Sequence, residues 1–189
     1  MTPFDFVLTL LSFIYSLALA HLLTGAARMI RHRRKLVFSW PHALWMTSAF
    51  LLALANWLSL WAFHSFRVVD LPMFAGAVAL CAGMYFVSAF VTPEFEKPED
   101  FDLVRFHETQ RFTYITANLV LLTLALGLNA GAGAIGVRSW ASDNAPNLAM
   151  VLPLLAALFL RNTSVQLLAP LILNLALIFG MLLSHPRLS

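Results

Sequence analysis

The sequence predicts an all-α fold, a polytopic bundle of about six transmembrane helices, and three observations carry that expectation. The chain of 189 residues is 60% hydrophobic and 11% charged, with a mean hydropathy of +0.80, outside the range of soluble domains. Its apolar residues fall in blocks of about 20, the length an α-helix needs to cross a hydrocarbon layer of about 30 Å. Its basic residues gather in alternate connecting segments, the asymmetry that sets orientation in membrane proteins.

The first block, Phe4 to Ile30, is too long for the apolar core of a signal peptide and lacks a positive leader, so it is read as a retained helix. The run RHRRK follows at once and makes residues 31–40 a basic loop. The second block extends from Pro41 to Phe66, with Trp40 and Trp45 at its start and Trp57 and Trp61 near its end. Those pairs lie about 25 Å apart along a helix, as anchors in the two aromatic belts of a bilayer would; an aromatic ligand cage is the alternative. Leu71 to Val91 is the third block.

The connection from Thr92 to Arg111 holds six of the nine acidic residues: Glu94, Glu96, Glu99, Asp100, Asp102 and Glu108. Pro98 followed by Glu99, Asp100 and Asp102 marks a helix start. A short helix lying on the membrane surface through Phe101, Leu103 and Val104, or a plain solvated connector, is expected for residues 92–111. The fourth block spans Phe112 to about Ile135. The fifth, Pro146 to Leu160, reaches only about 22 Å as a helix, so a re-entrant path is the alternative to a full span. Ser164 to Ser184 closes the series. With no internal repeat and no low-complexity linker, residues 1–189 read as one domain.

Six spans with an outer amino terminus put nine of the twelve basic residues in the cytoplasm: Arg28, Arg31, Arg33, Arg34, Lys35, Lys97, Arg105, Arg111 and Arg161. Arg67, Arg138 and Arg187 remain outside, together with both termini. A re-entrant fifth block would flip the carboxyl end.

Polar groups inside lipid are costly and tend to face protein or a cavity, so they are the informative residues. In the first helix Ser12, Ser16, Ala20 and Thr24 recur every four residues as a small-residue stripe, with His21, Gly25 and Arg28 beside it. Ala75, Ala79 and Gly83 form such a stripe in the third helix, and Gly127 with Gly131 in the fourth. Gln166, Pro170 and Asn174 share a face of the last helix, where Gln166 could satisfy a carbonyl freed by the proline. Asn56 completes the intramembrane polar set of His21, Thr24, Arg28, Asn56, Gln166 and Asn174.

Six histidines invite a metal or haem reading, since neutral imidazole binds both. His64 and His185 belong to the outer side, and His32 to the basic loop. His21, His42 and His107 could meet near the cytoplasmic face, but helix rise sets His21 about 10 Å deeper than His42, which strains a shared haem. A metal held by His42, His107 and loop carboxylates is conceivable, although no spacing such as H-E-x-x-H supports it. His21 reads best as a buried hydrogen-bonding group.

Several functions are disfavoured by what the sequence lacks. No Asp or Glu lies inside an apolar block, as Asp5 and Asp70 fall at span ends, so the carboxylate relay of a proton pump is missing. Lys35 and Lys97 are both in loops, which excludes a retinal Schiff base. There is no TVGYG filter, no C-x-x-C-H and no G-x-S-x-G. The lone Cys81 permits neither an internal disulfide nor a cysteine metal cluster. Gly131 to Gly136, GAGAIG, spells the dinucleotide fingerprint G-x-G-x-x-G, but a membrane helix precedes it and no acidic residue follows at the ribose position, so NAD binding is not expected. Nucleic acid is not expected as a partner either.

The stretch SFIYSLALAHLLTGAARMIRHRRK, followed by FSWPHALW and NWLSLW, resembles a widespread group of bacterial polytopic inner-membrane proteins of about this length and no established activity. The resemblance is firmest from Ser12 to Trp61. It implies a histidine and a glycine in the first helix, matched by His21 and Gly25, and an aromatic-flanked histidine after the basic loop, matched by His42. The small-residue stripes and the lack of catalytic groups lead to the expectation of non-enzymatic helix association, as a homo-oligomer or as a small subunit of a larger membrane complex. A passive channel for an ion or small solute past His21, Asn56, Gln166 and Asn174 is one alternative. A haem- or pigment-binding protein using His21 or His42 is another.

Overall fold

The computed structural model describes residues 3–59, 71–94, 101–132 and 137–183. Seven helices and one short strand pair account for nearly all of them: α1 (Pro3–Arg31), β1 (Leu36–Val37), α2 (Trp40–Ser59), α3 (Leu71–Val91), β2 (Phe101–Asp102), α4 (Leu103–Ala132), α5 (Val137–Asp143), α6 (Ala145–Phe159) and α7 (Thr163–Leu183). Four helices, α1, α3, α4 and α7, are long and apolar enough to cross a membrane. In α2 the polar His42, Thr47, Ser48 and Asn56 dilute the apolar run, and its expected continuation to Phe66, with Trp61 and His64, lies outside the described residues. The fifth block is the 15-residue α6, preceded by the separate short helix α5.

Local chemistry starts these helices. Ser39 Oγ accepts the His42 backbone N–H at 3.4 Å ahead of α2. Asp102 Oδ1 accepts the N–H groups of Val104 and Arg105 at 2.8 and 3.1 Å, and Asn162 Oδ1 accepts that of Ser164 at 2.9 Å. Each satisfies an amide that has no partner within the first helical turn. Because Asp102 caps α4, residues 103–111 are not a separate surface helix: they are the first turns of a continuous 30-residue helix. The expectation counted only apolar residues, whereas Leu, Arg, Glu and Gln extend a helix equally well in the polar segment.

The helices close a ring in which α1 packs on α3, α3 on α4, α4 on α6, α6 on α7, α7 on α2 and α2 on α1; α2 also touches α3 and α4. The core of Leu11, Tyr15, Trp45, Met84, Tyr114, Ile115 and Leu173 runs through its middle. A parallel two-residue pairing of β1 with β2, Leu36 opposite Phe101 and Val37 opposite Asp102, places the loop after α1 and the start of α4 at the same end of the bundle.

Small residues do permit close helix contacts, at Gly83 of the expected α3 stripe and at Gly25 beside the α1 stripe, though not at the other stripe positions described. α1 buries Leu11, Tyr15, Ala18, Leu22 and Gly25, while Ser16, Ala20 and Thr24 are exposed and Ser12 is half-buried. In α3, Ala75 and Ala79 are likewise exposed. The close approaches are at Gly25, where an added Cβ would overlap Thr92 Cγ2, at Gly76, where it would overlap Leu128, and at Gly83, where it would meet Leu121 Cδ1 at 2.9 Å. Gly127 faces open space, with no atom within 4 Å of such a Cβ, so it forms no packing surface within the bundle. Gly131 sits in the last turn of α4, and residues 133–136 of GAGAIG lie outside the described residues.

Candidate functional site

The end of the bundle where α2, α4 and α7 begin and α6 ends holds a concentration of buried polar side chains. On α4 the buried residues Leu103, His107, Arg111, Tyr114, Asn118 and Leu121 follow helical spacing, so one stripe carries four polar groups into the interior. On α2, His42 and Trp45 are neighbours at i and i+3 and turn toward that stripe. The His42 ring meets Phe106 edge-on with centroids 5.2 Å apart, and Trp45 packs on Tyr114 at 5.7 Å. From α7, Gln166 reaches in from the opposite side, buried to 4% exposure.

Two connections hold the cluster. The Tyr114 hydroxyl and His107 Nδ1 share a hydrogen bond of 2.5 Å, which fixes the imidazole. Arg111 donates to the carbonyl oxygens of Ala157 and Leu160 at 2.9 and 3.5 Å, and Gln166 Nε2 donates to the same two at 2.8 and 2.7 Å. These carbonyls belong to the last turn of α6, whose oxygens lack intrahelical partners and carry the negative end of the helix dipole, so a guanidinium is well placed there. The Phe106 ring against which His42 packs is the neighbour of His107 on α4, so the two imidazoles belong to the same end of the bundle.

What this framework leaves open is informative. His42 is fully buried, and neither of its ring nitrogens has a hydrogen-bond partner. Trp45 Nε1, His107 Nε2 and Gln166 Oε1 are also buried and unpartnered. No hydrogen bond joins Gln166 Oε1 to His107 Nε2. An unmatched buried polar atom costs about 1–3 kcal/mol, and native proteins carry only a few in every hundred residues. Five of the buried unpartnered side-chain atoms among the described residues belong to this cluster.

The expected polar residues distribute unevenly about this place. Gln166 and Asn174 share the buried face of α7 with Pro170, as spacing required. Asn174 donates to Leu44 O at 3.4 Å and Ser48 Oγ to Pro170 O at 3.4 Å, while the Gln166 amide goes to α6 rather than to its own helix. Asn56 donates to Leu52 O on its own helix at 2.9 Å, about 18 Å along α2 from Leu44. His21 is half-buried beside Tyr85, at 6.2 Å between rings, and Thr24 and Arg28 are exposed. A shared pathway through His21, Asn56, Gln166 and Asn174 is therefore not assembled. Of the three candidate ligand histidines, His42 and His107 come together and His21 does not. No group of three or more His, Cys, Asp or Glu side chains is gathered among the described residues. Asp102 caps α4 while Glu94 and Glu108 are exposed; Glu96, Glu99 and Asp100 lie outside the described residues, as does His185.

Trp45 is a buried member of the site, 1% exposed, and not an interface anchor; Trp40 and Trp57 are exposed, and Trp57 Nε1 donates to Ser12 Oγ at 3.2 Å. Arg111, Tyr114 and Trp45 are the residues that sequence reading did not assign to a site. The 107, 111, 114, 118 spacing was the available signal, hidden by placing His107 and Arg111 in a loop.

No protein-family model, curated protein or solved structure matches the chain.

Proposed function

We propose that the chain is an integral membrane protein of six spans, α2 and α6 counted beside the four long helices, that holds a small polar ligand inside the bundle. The five unpartnered atoms of His42, Trp45, His107 and Gln166 carry this reading, because those side chains are at most 5% exposed and lipid cannot satisfy them. The β1–β2 pairing supports an orientation in which the basic loop 31–40 and the connection 92–111 share the cytoplasmic side of a bacterial inner membrane with both termini outside. No reaction is assigned to the site. Native mass spectrometry of the full chain released from detergent tests the reading. A bound species on wild type, lost in Trp45→Phe, is expected, and wild-type protein without any adduct would overturn it.

A second reading, association with another copy or a larger complex, is favoured by the outward direction of Ser16, Ala20 and Thr24 on α1 and of Ala75 and Ala79 on α3. Light scattering in mild detergent is expected to give a defined multiple of the 21.0 kDa chain. Cys81 is fully buried and offers no crosslinking handle, so a strictly monomeric mass would remove this reading.

A further inference from the structure

We infer that the cluster of His42, Trp45, His107 and Arg111 is a site for a small monovalent anion, a step that rests on the ligand-holding reading and names the ligand's charge. The open groups are rich in donors. The Trp45 indole can only donate, a neutral His42 offers one N–H from its two open ring nitrogens, and His107 Nε2 donates when Nδ1 accepts from the Tyr114 hydroxyl. Arg111, four residues along α4 from His107 and on the same buried stripe, brings a permanent positive charge at 8% exposure.

Among the described residues no carboxylate is paired with that charge. The buried polar and charged side chains among the described residues are Ser, Thr, His, Arg, Asn and Gln, without one Asp or Glu. Helix-end carbonyls of Ala157 and Leu160 supply partial charges only, equivalent to about half an electron at a helix terminus. A buried guanidinium is ordinarily matched by a full negative charge. A metal cation fits this environment poorly, because it would sit near Arg111 with two imidazoles and no anionic ligand. A neutral molecule would meet the donors but leave the charge uncompensated. An anion of a few atoms answers both, accepting from Trp45 Nε1 and the imidazoles while it balances Arg111. The open Gln166 Oε1 is the one obligate acceptor among these groups, and its amide nitrogen is held by the carbonyls of Ala157 and Leu160.

Thermal unfolding of the full chain in detergent micelles decides the point, with sodium gluconate holding ionic strength constant. The probes are sodium formate, acetate, nitrate and chloride, set against neutral formamide and acetamide. At least one small anion is expected to raise the unfolding midpoint saturably. Trp45→Phe, which keeps the ring against Tyr114 and deletes only the donor, is expected to raise the half-saturating concentration about tenfold. Arg111→Gln is expected to abolish the effect. Saturable stabilisation by the amides alone, sensitive to Trp45→Phe, would overturn the anion and leave the ligand reading standing. No shift with any probe, or a shift indifferent to Trp45→Phe, would overturn both.

Discussion

Replacing His42 by phenylalanine is expected to make the ligand-free protein more stable, although it removes a residue from the proposed site. His42 is 0% exposed and both of its ring nitrogens are unpartnered, each costing about 1–3 kcal/mol while the site is empty. A phenyl ring retains the planar shape and the edge-on contact with Phe106 at 5.2 Å, and a swap of this size in a packed core costs up to about 1.5 kcal/mol. The balance is a gain of about 0.5–6 kcal/mol for the empty protein. The assay is thermal unfolding of dialysed wild type and His42→Phe in the same detergent, followed by helical circular dichroism. Wild type is expected to unfold several degrees earlier when empty, and a bound anion should narrow or reverse the gap by stabilising wild type only. A His42→Phe midpoint equal to or below that of empty wild type would show that the nitrogens are matched already, and the site argument would fail at its first step.

Other predictions follow from packing and capping. Gly25→Ala drives a methyl into Thr92 Cγ2 and is expected to destabilise by about 1–3 kcal/mol, with Thr92→Ser restoring most of the loss in the double variant; unfolding midpoints of the four proteins give the coupling. Gly127→Ala, facing open space, is expected to be neutral or slightly stabilising in the same assay. Asp102→Ala removes an acceptor for two α4 amides and is expected to cost about 0.5–2 kcal/mol, read as faster proteolysis ahead of Leu103. Ala20→Leu, on the exposed face of α1, is expected to leave the monomer fold intact and to reduce any oligomer seen by light scattering.

Apolar blocks made the helical architecture legible, and their edges were the least legible part. α3 begins and ends where the third block does, because its polar flanks leave no ambiguity. α4 begins nine residues before Phe112, because helix formation follows backbone propensity and the Asp102 cap while block reading followed hydropathy. The displaced boundary concealed the stripe from His107 to Asn118, and with it half of the site. Trp45 departs from its expected place for a related reason: a tryptophan near a helix start serves as well in a core as in an interface, and only the neighbour, here Tyr114, distinguishes them. The small-residue stripes show the same dependence on partners. Gly25 and Gly83 are close contacts because Thr92 and Leu121 stand opposite them, and spacing along one helix carries no information about what faces it.

The pairing of β1 with β2 gives Asp102 two simultaneous duties. Its backbone registers with Val37, at the end of the segment that contains RHRRK, and its carboxylate holds the first turn of α4. From that turn the helix proceeds by one step to His107 and by a second to Arg111. The loop that follows α1 and the helix that carries His107 and Arg111 are therefore tied to each other through one residue, Asp102.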